Sequence, residues 1–584
     1  MSFSFFFILL SLISPTLFAD SKSEPYDILH YDAELKINWP EHSLSGAEMI
    51  RFKSLKDDLS DIELDASNLV IEHVSEQGTE QPFELKEKKL NIHLTRAAHK
   101  GEERTLTLSY HARPKSGVYF YPDEVYTVFN TSSWLACHDR PEDKATLTLH
   151  LTVPAGMKVV ANGRPIKQDQ LKGDQREHTW QQDSPLPTYI FGFAAGNFNE
   201  LVQQRGKLQL RYLSKNYSRE EMAKIFEQTG AILDFYERRA GVSLPGDSYT
   251  QVLVPGTIGQ EMGGFTALPV DYGKEMLASP KKSWLMAHEF AHQWWGNSVT
   301  CRDWSDFWLN EGTASFMADA YLQTRFGQTA YDEEIENARG AYARARARGR
   351  DRSIVFYDWI KPSDAGGPIT YDKGALVLHL LRYQLGETAF WEGLRRFTRE
   401  HMGGSVVTKD FQSSMEQASG QNLSDFFTHW VYRADLAQIN AHQRLEKNEL
   451  IVELEERQNA VWPIPLQVAV ETTRGRQTRR VMLEGKRVEV RFHINGPVLS
   501  VRVDDGGHLP VRVSHERPVQ MLLHQLAHEP DVAGRVDALE QLVQKCPGHP
   551  PQEPACARLK PALNERALKD SSDLVRETAR KAVL

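Results

Sequence analysis

His288-Glu289-Phe290-Ala291-His292 and, after eighteen intervening residues, Glu311 within Trp308-Leu309-Asn310-Glu311-Gly312 decide the fold of the middle of this chain. Residues four apart on an α-helix share a face, so the rings of His288 and His292 can converge on one point. Two imidazoles converging in this way are half of a tetrahedral zinc site. Glu289 lies about 100° round the helix from His288. It is outside comfortable reach of the metal but able to take a proton from a water held there. A catalytic zinc needs a third protein ligand and one open position. Thr313 to Ala320 reads as a second helix, and the intervening chain is long enough to turn and return the Glu311 carboxylate from an antiparallel neighbour. The pentapeptide alone could equally be a solvated glutamate between two packed histidines; the spaced Glu311 favours the metal.

The flanks extend the pattern. His288 to Asn297 reads HEFAHQWWGN, and Asp303 to Gly312 reads DWSDFWLNEG. Together they resemble the gluzincin aminopeptidases of the M1 family. That resemblance implies a zinc peptidase with one Zn2+ per chain, held by His288, His292 and Glu311, with Glu289 as general base and then general acid. Ile369-Thr370-Tyr371-Asp372-Lys373-Gly374-Ala375 is similar to the Y-E-K-G-A segment of these enzymes, with Asp372 in place of the glutamate. Tyr371 thereby inherits the role of hydrogen-bond donor to the developing oxyanion, a contribution of a few kcal/mol. Gly259-Gln260-Glu261-Met262-Gly263-Gly264 falls where the family carries G-x-M-E-N, whose glutamate recognises the free α-amino group. The register that keeps the following glycine puts Glu261 at that position, with Gln260 replacing methionine and Met262 replacing asparagine. A one-residue shift keeps the leading Gly259 but loses the glutamate. The first register is preferred because a carboxylate facing a dry cleft attracts an amine, and Gly259 lets an extended substrate come close.

Composition bounds the rest. The chain has 584 residues, 41% hydrophobic and 25% charged, which implies several soluble domains. A formal net charge of -9 argues against nucleic acid as a partner. The expected partners are peptide substrates. Residues 1–19 form an apolar run broken at Pro15 and ending at Phe18-Ala19, read as a signal for export to the periplasm or beyond the cell. It is shorter than the ~20 residues of a membrane span, and stable membrane insertion is not expected. Cys546 and Cys556 could pair in an exported protein, whereas Cys137 and Cys301 read as buried thiols.

The fold class expected is multidomain α+β. After the signal, 20–205 reads as an all-β, saddle-like domain, from period-two alternation such as Thr146 to Val153. Residues 206–437 read as a mostly helical, thermolysin-like peptidase domain; it opens with a capping box at Ser218 and Glu221 and a helix running on through Tyr236. Alternation returns in 438–515 as a small β-sandwich, and 516–584 reads as a short helical-repeat unit. Arg339, Arg344, Arg346, Arg348, Arg350 and Arg352 read as a solvated helix face, or else as a positive rim for acidic peptides. The function these features imply is a zinc aminopeptidase. An endopeptidase of the same fold is the alternative that the altered segment at Gly259 leaves open, and an inactive binding protein is the remote one.

Overall fold

The computed structural model describes residues 25–256, 258–359, 362–434, 437–547 and 554–583. The expected export signal, 1–19, lies outside the described residues.

Alternating burial builds the amino-terminal part. In the strand Tyr26–Asn38, Tyr31, Ala33, Leu35 and Ile37 face inward and are buried, while Glu34, Lys36 and Asn38 are exposed. This strand runs parallel to Lys144–Pro154 and antiparallel to Ser43–Ser54, at the centre of an eight-stranded sheet. Its core is contiguous with Val252, Met262, Phe265, Trp304 and Phe307, so the β domain is packed directly onto the segments that build the site.

The expected break at 205/206 falls in a hairpin. Asn199–Arg205 pairs with Leu208–Ser214, which runs parallel to Ser248–Val254, itself parallel to Phe265–Pro269. These backbone hydrogen bonds make one sheet, and the expected boundary divides its first hairpin. The helix expected from Ser218 through Tyr236 is also two helices, Arg219–Ile225 and Thr229–Ala240. The break lets the buried Gln228 accept hydrogen bonds from Tyr321 (2.9 Å) and Arg325 (2.8 Å). A continuous helix would give up that placement.

The peptidase-like helices share one hydrophobic core with the sandwich, which is built from a four-stranded and a three-stranded sheet. Behind it, helices Val519–His528, Val532–Lys545, Leu559–Lys569 and Asp573–Val583 form a small core of their own. The helix Gln328–Ala347 holds them: Asp332 and Glu333 accept from the backbone N–H groups of Val532 and Asp573, at 3.4 and 2.6 Å. Carboxylates at helix starts satisfy otherwise orphaned donors. Among the described residues no helix is long and apolar enough to cross a membrane.

Two members of the arginine run are not on a solvated face. Arg339 is buried and donates to the carbonyls of Leu509 and Gly507, tying the run to the sandwich. Arg352 donates to the Ala365 carbonyl and to Thr370 Oγ1. Cys137 and Cys301 are buried free thiols, and Cys546 is bridged to Cys556 with 5.6 Å between their Cα atoms. The bridge closes a loop with a sequence separation of 10. Replacing both cysteines with serine should lower the stability of the helical unit by about 2–3 kcal/mol. Calorimetry should show the same loss in the unaltered protein under reductant, and none on reducing the double-serine variant.

Candidate active site

His288 sits inside the helix Trp284–Ala291, and His292 closes it with helical dihedrals (φ −58°, ψ −24°), so the four-residue stacking survives to the helix end. Their Nε2 atoms are 3.2 Å apart. Glu311 lies in the first turn of the helix Trp308–Phe326, where the helix dipole favours a negative charge. Its Oε2 is 3.3 Å from each of the two Nε2 atoms. The outward nitrogens are held as well: His292 Nδ1 lies 3.0 Å from the Trp295 carbonyl and His288 Nδ1 3.3 Å from Ser315 Oγ. These contacts aim both Nε2 atoms at Glu311. Trp284 stacks on the His288 ring (4.9 Å between centroids) and donates to Asp319 Oδ1 at 2.7 Å.

All three groups are buried, and their ionisation follows from one another. Burial pushes the Glu311 carboxyl up, but the charge of His292 and hydrogen bonds from both histidines outweigh it and hold Glu311 well below the usual range. Burial lowers His292 too, yet the Glu311 charge raises it to about 10. Burial dominates at His288, which is lowered. The set accepts positive charge at its centre, as a proton on His292 or as a divalent cation. Bonds of about 2.0–2.1 Å in a tetrahedron separate the donors by about 3.3 Å. The observed triangle has edges of 3.2, 3.3 and 3.3 Å, so these residues fit a metal ion. His288, His292 and Glu311 are likewise one of two groups among the described residues whose ligand atoms could share an ion. The other, Asp505, Glu529 and Asp531, is bound up with Arg476 and Arg502.

The remaining expected residues gather round this triangle. Glu289 is 6% exposed, and its ordinary acidity is weakened by burial first and by Glu261 second. Gly259 lies against it: a Cβ there would fall 2.2 Å from Glu289 Oε1. Tyr371 stands in a wide turn, Ile369–Lys373, immediately before the helix Gly374–Leu385. Its ring centre is 6.0 Å from that of His288. Burial, then the charge of Glu311, holds its phenol protonated well above the usual range. Gly312 and Gly374 permit this approach, since a Cβ on either would lie 3.0 Å from the other's Cα. Arg352 and Lys373, whose Nζ donates to the Arg352 carbonyl at 3.1 Å, brace the turn from behind.

Glu261 is 3% exposed and close enough to His292 and Glu311 to feel their charges. Burial raises its carboxyl to about 7. Its backbone carbonyl accepts from Asn297 Nδ2 (2.9 Å), and Gln293 brackets the next residues by donating to the Met262 carbonyl (3.0 Å) and accepting from Gly264 N (2.9 Å). Asn297, Gln293, Ser315, Trp284 and Arg352 were not among the expected site residues. Gln293 and Asn297 stand in the HEFAHQWWGN flank, one and five positions after His292, where a helix-end reading could have found them.

Residues 28–190 match the model of the peptidase M1 N-terminal domain and residues 226–430 that of the peptidase family M1 domain. The chain belongs to peptidase family M1. The M1 relatives include probable aminopeptidase 1 of Sulfurisphaera tokodaii, 24% identical over 81% of this chain and 61% of that protein. The puromycin-sensitive aminopeptidase of Caenorhabditis elegans is 25% identical over 68% of this chain and 44% of its own length. The chain thus spans about half the length of these relatives. Legionella pneumophila aminopeptidase A, solved in complex with aspartic acid, shares the fold: its TM-score is 0.83, over 97% of this chain and 68% of that one, at 17% identity. Family M1 is a metallopeptidase family, in keeping with the buried His-His-Glu triangle.

The contact between Gly259 and Glu289 is directly testable. A methyl group in Gly259→Ala must displace the Glu289 carboxylate, and turnover at this site should fall about 100-fold. Metal content should stay unchanged, because no donor atom moves.

Proposed function

We propose that this chain is a zinc-dependent aminopeptidase that removes amino-terminal residues from peptides. The observation that carries the reading is Glu261 Oε1, a buried carboxylate oxygen with no hydrogen-bond partner among the described residues, in the same pocket as Glu289 and the three donors. An unpaired buried acceptor is costly unless a ligand supplies the donor. A peptide's terminal ammonium supplies it together with a compensating charge.

His288, His292 and Glu311 would hold the zinc, which when bound supplies Lewis acidity and lowers the pKa of a water towards ~7. Glu289 is the residue placed to take a proton from an attacking water; the weakened acidity that burial and Glu261 impose suits it to hold the proton and then hand it to the departing amine. Tyr371, protonated and braced through Arg352, donates a hydrogen bond to the carbonyl oxygen as negative charge develops there. Glu261 fixes the terminus, so one residue is released per cycle.

We also propose export. Its support is the apolar run of residues 1–19 and the Cys546–Cys556 bridge, a kind of bond that persists in oxidising compartments. Amino-terminal sequencing of the exported protein should find a mature chain beginning near Asp20.

Hydrolysis of amino-acid amides beside their amino-terminally acetylated twins tests the activity. Only the free-amine set should be cleaved, and a chelator should abolish cleavage until zinc is restored. Glu289→Gln should reduce kcat by at least about 1,000-fold with metal content still near one per chain. Cleavage of the acetylated set at a similar rate would move the assignment to an endopeptidase.

A further inference from the structure

Of the two residues flanking the proposed amine anchor, both of which depart from the G-x-M-E-N pattern, Gln260 is the one that hydrogen-bonds to it. Gln260 is fully buried, and each of its hydrogen-bonding groups has a partner. Its backbone N–H donates to the Ala267 carbonyl at 2.9 Å, and its carbonyl accepts from Ala267 N at 3.1 Å. Its side-chain Nε2 donates to Glu261 Oε2 at 2.6 Å, and its Oε1 accepts from the backbone N–H of Phe129 at 3.0 Å. Phe129 and the next residue, Asn130, both have positive φ, 46° and 48°, in the left-handed region that non-glycine residues seldom occupy. Such a pair persists only where its surroundings hold it. The amide of Gln260 is thus wedged between a strained turn of the β domain and one oxygen of Glu261.

The consequence falls on the other oxygen. Glu261 Oε2 is engaged by Gln260, the Glu261 backbone is fixed by Asn297, and Oε1 has no hydrogen-bond partner among the described residues. A methionine at 260 would have nearly the same length but no donor, and a carboxylate free to rotate would present neither oxygen in a fixed direction. We propose that Gln260 is the positioning residue of the amine site, locking one Glu261 oxygen so that the other becomes the single, pre-aimed acceptor for the substrate's terminal ammonium. This rests on the aminopeptidase reading above and deepens it: substrate affinity, rather than the chemical step, depends on a side chain anchored in the β domain.

Steady-state kinetics on leucine amide test it, using the full chain, Gln260→Met, Glu261→Ala and the double variant. Losing a hydrogen bond to a charged group is worth about a tenfold change in affinity or more. Gln260→Met should raise KM about tenfold and leave kcat within about threefold, the signature of lost ground-state binding. Gln260→Asn keeps the amide but is one methylene short, and should behave like the methionine variant; it serves if Gln260→Met does not fold. Glu261→Ala should raise KM at least as much, and the double variant should be no worse than Glu261→Ala, because nothing is left to position. A merely structural role would instead add its effect to that of Glu261→Ala. A KM for both position-260 variants within about twofold of the unaltered protein, or multiplied effects in the double variant, would overturn the proposal. Failure of the parent reading looks different: no hydrolysis of free-amine amides by the unaltered protein, or an unchanged KM in Glu261→Ala, would remove that reading and this proposal with it.

Discussion

The structure depends on a buried carboxylate. Glu311 is almost wholly removed from water with two imidazoles against one of its oxygens. An isolated ion in that position would be prohibitive, and a group so placed normally neutralises or finds a partner. Here two helices are held together around the charge. The Gly312–Gly374 crossing brings the Tyr371 turn down onto the helix that carries Glu311, and Trp284 and Ser315 fix His288 from the far side. The helices that carry the triangle contribute Ala287, Phe290, Ala291, Trp308 and Leu309 to the core shared with the sandwich, so its donors sit on packed helices rather than on loops.

This explains what could be read directly from the sequence and what could not. The His288–His292–Glu311 geometry was legible because a four-residue spacing on one helix and a carboxylate in the first turn of the next are local facts. Alternation in strands such as Tyr26–Asn38 was legible for the same reason. The expected boundary at 205/206 divides the hairpin Asn199–Ser214 because the pairing of its second strand with Ser248–Val254 joins segments distant in sequence. The arginine run looked like a solvated face because charge is a local property. The burial of Arg339 beneath the Gly507 and Leu509 carbonyls depends on a loop some 170 residues away in sequence. Gln228 broke a helix for a comparable reason, since its partners Tyr321 and Arg325 lie nearly a hundred residues downstream.

The two halves of the site are therefore built on different principles. The metal-accepting triangle and Glu289 belong to two adjacent helices and inherit their precision from helix geometry. The proposed amine side is assembled at a seam: Glu261 follows an irregular segment pinned by one backbone bridge at Gln260, by Asn297 and Gln293 from the end of the histidine helix, and by Phe129 from the other domain. Residues that recognise a substrate can change at such a seam without disturbing the burial of Glu311, because no metal donor lies on the segment. Gln260 is a residue of this kind, for it touches Glu261 Oε2 and Phe129 but none of the three donors. Chemistry carried on the helices and recognition carried on the seam, as proposed above, is the arrangement expected of a fold that must keep one reaction while its substrates vary.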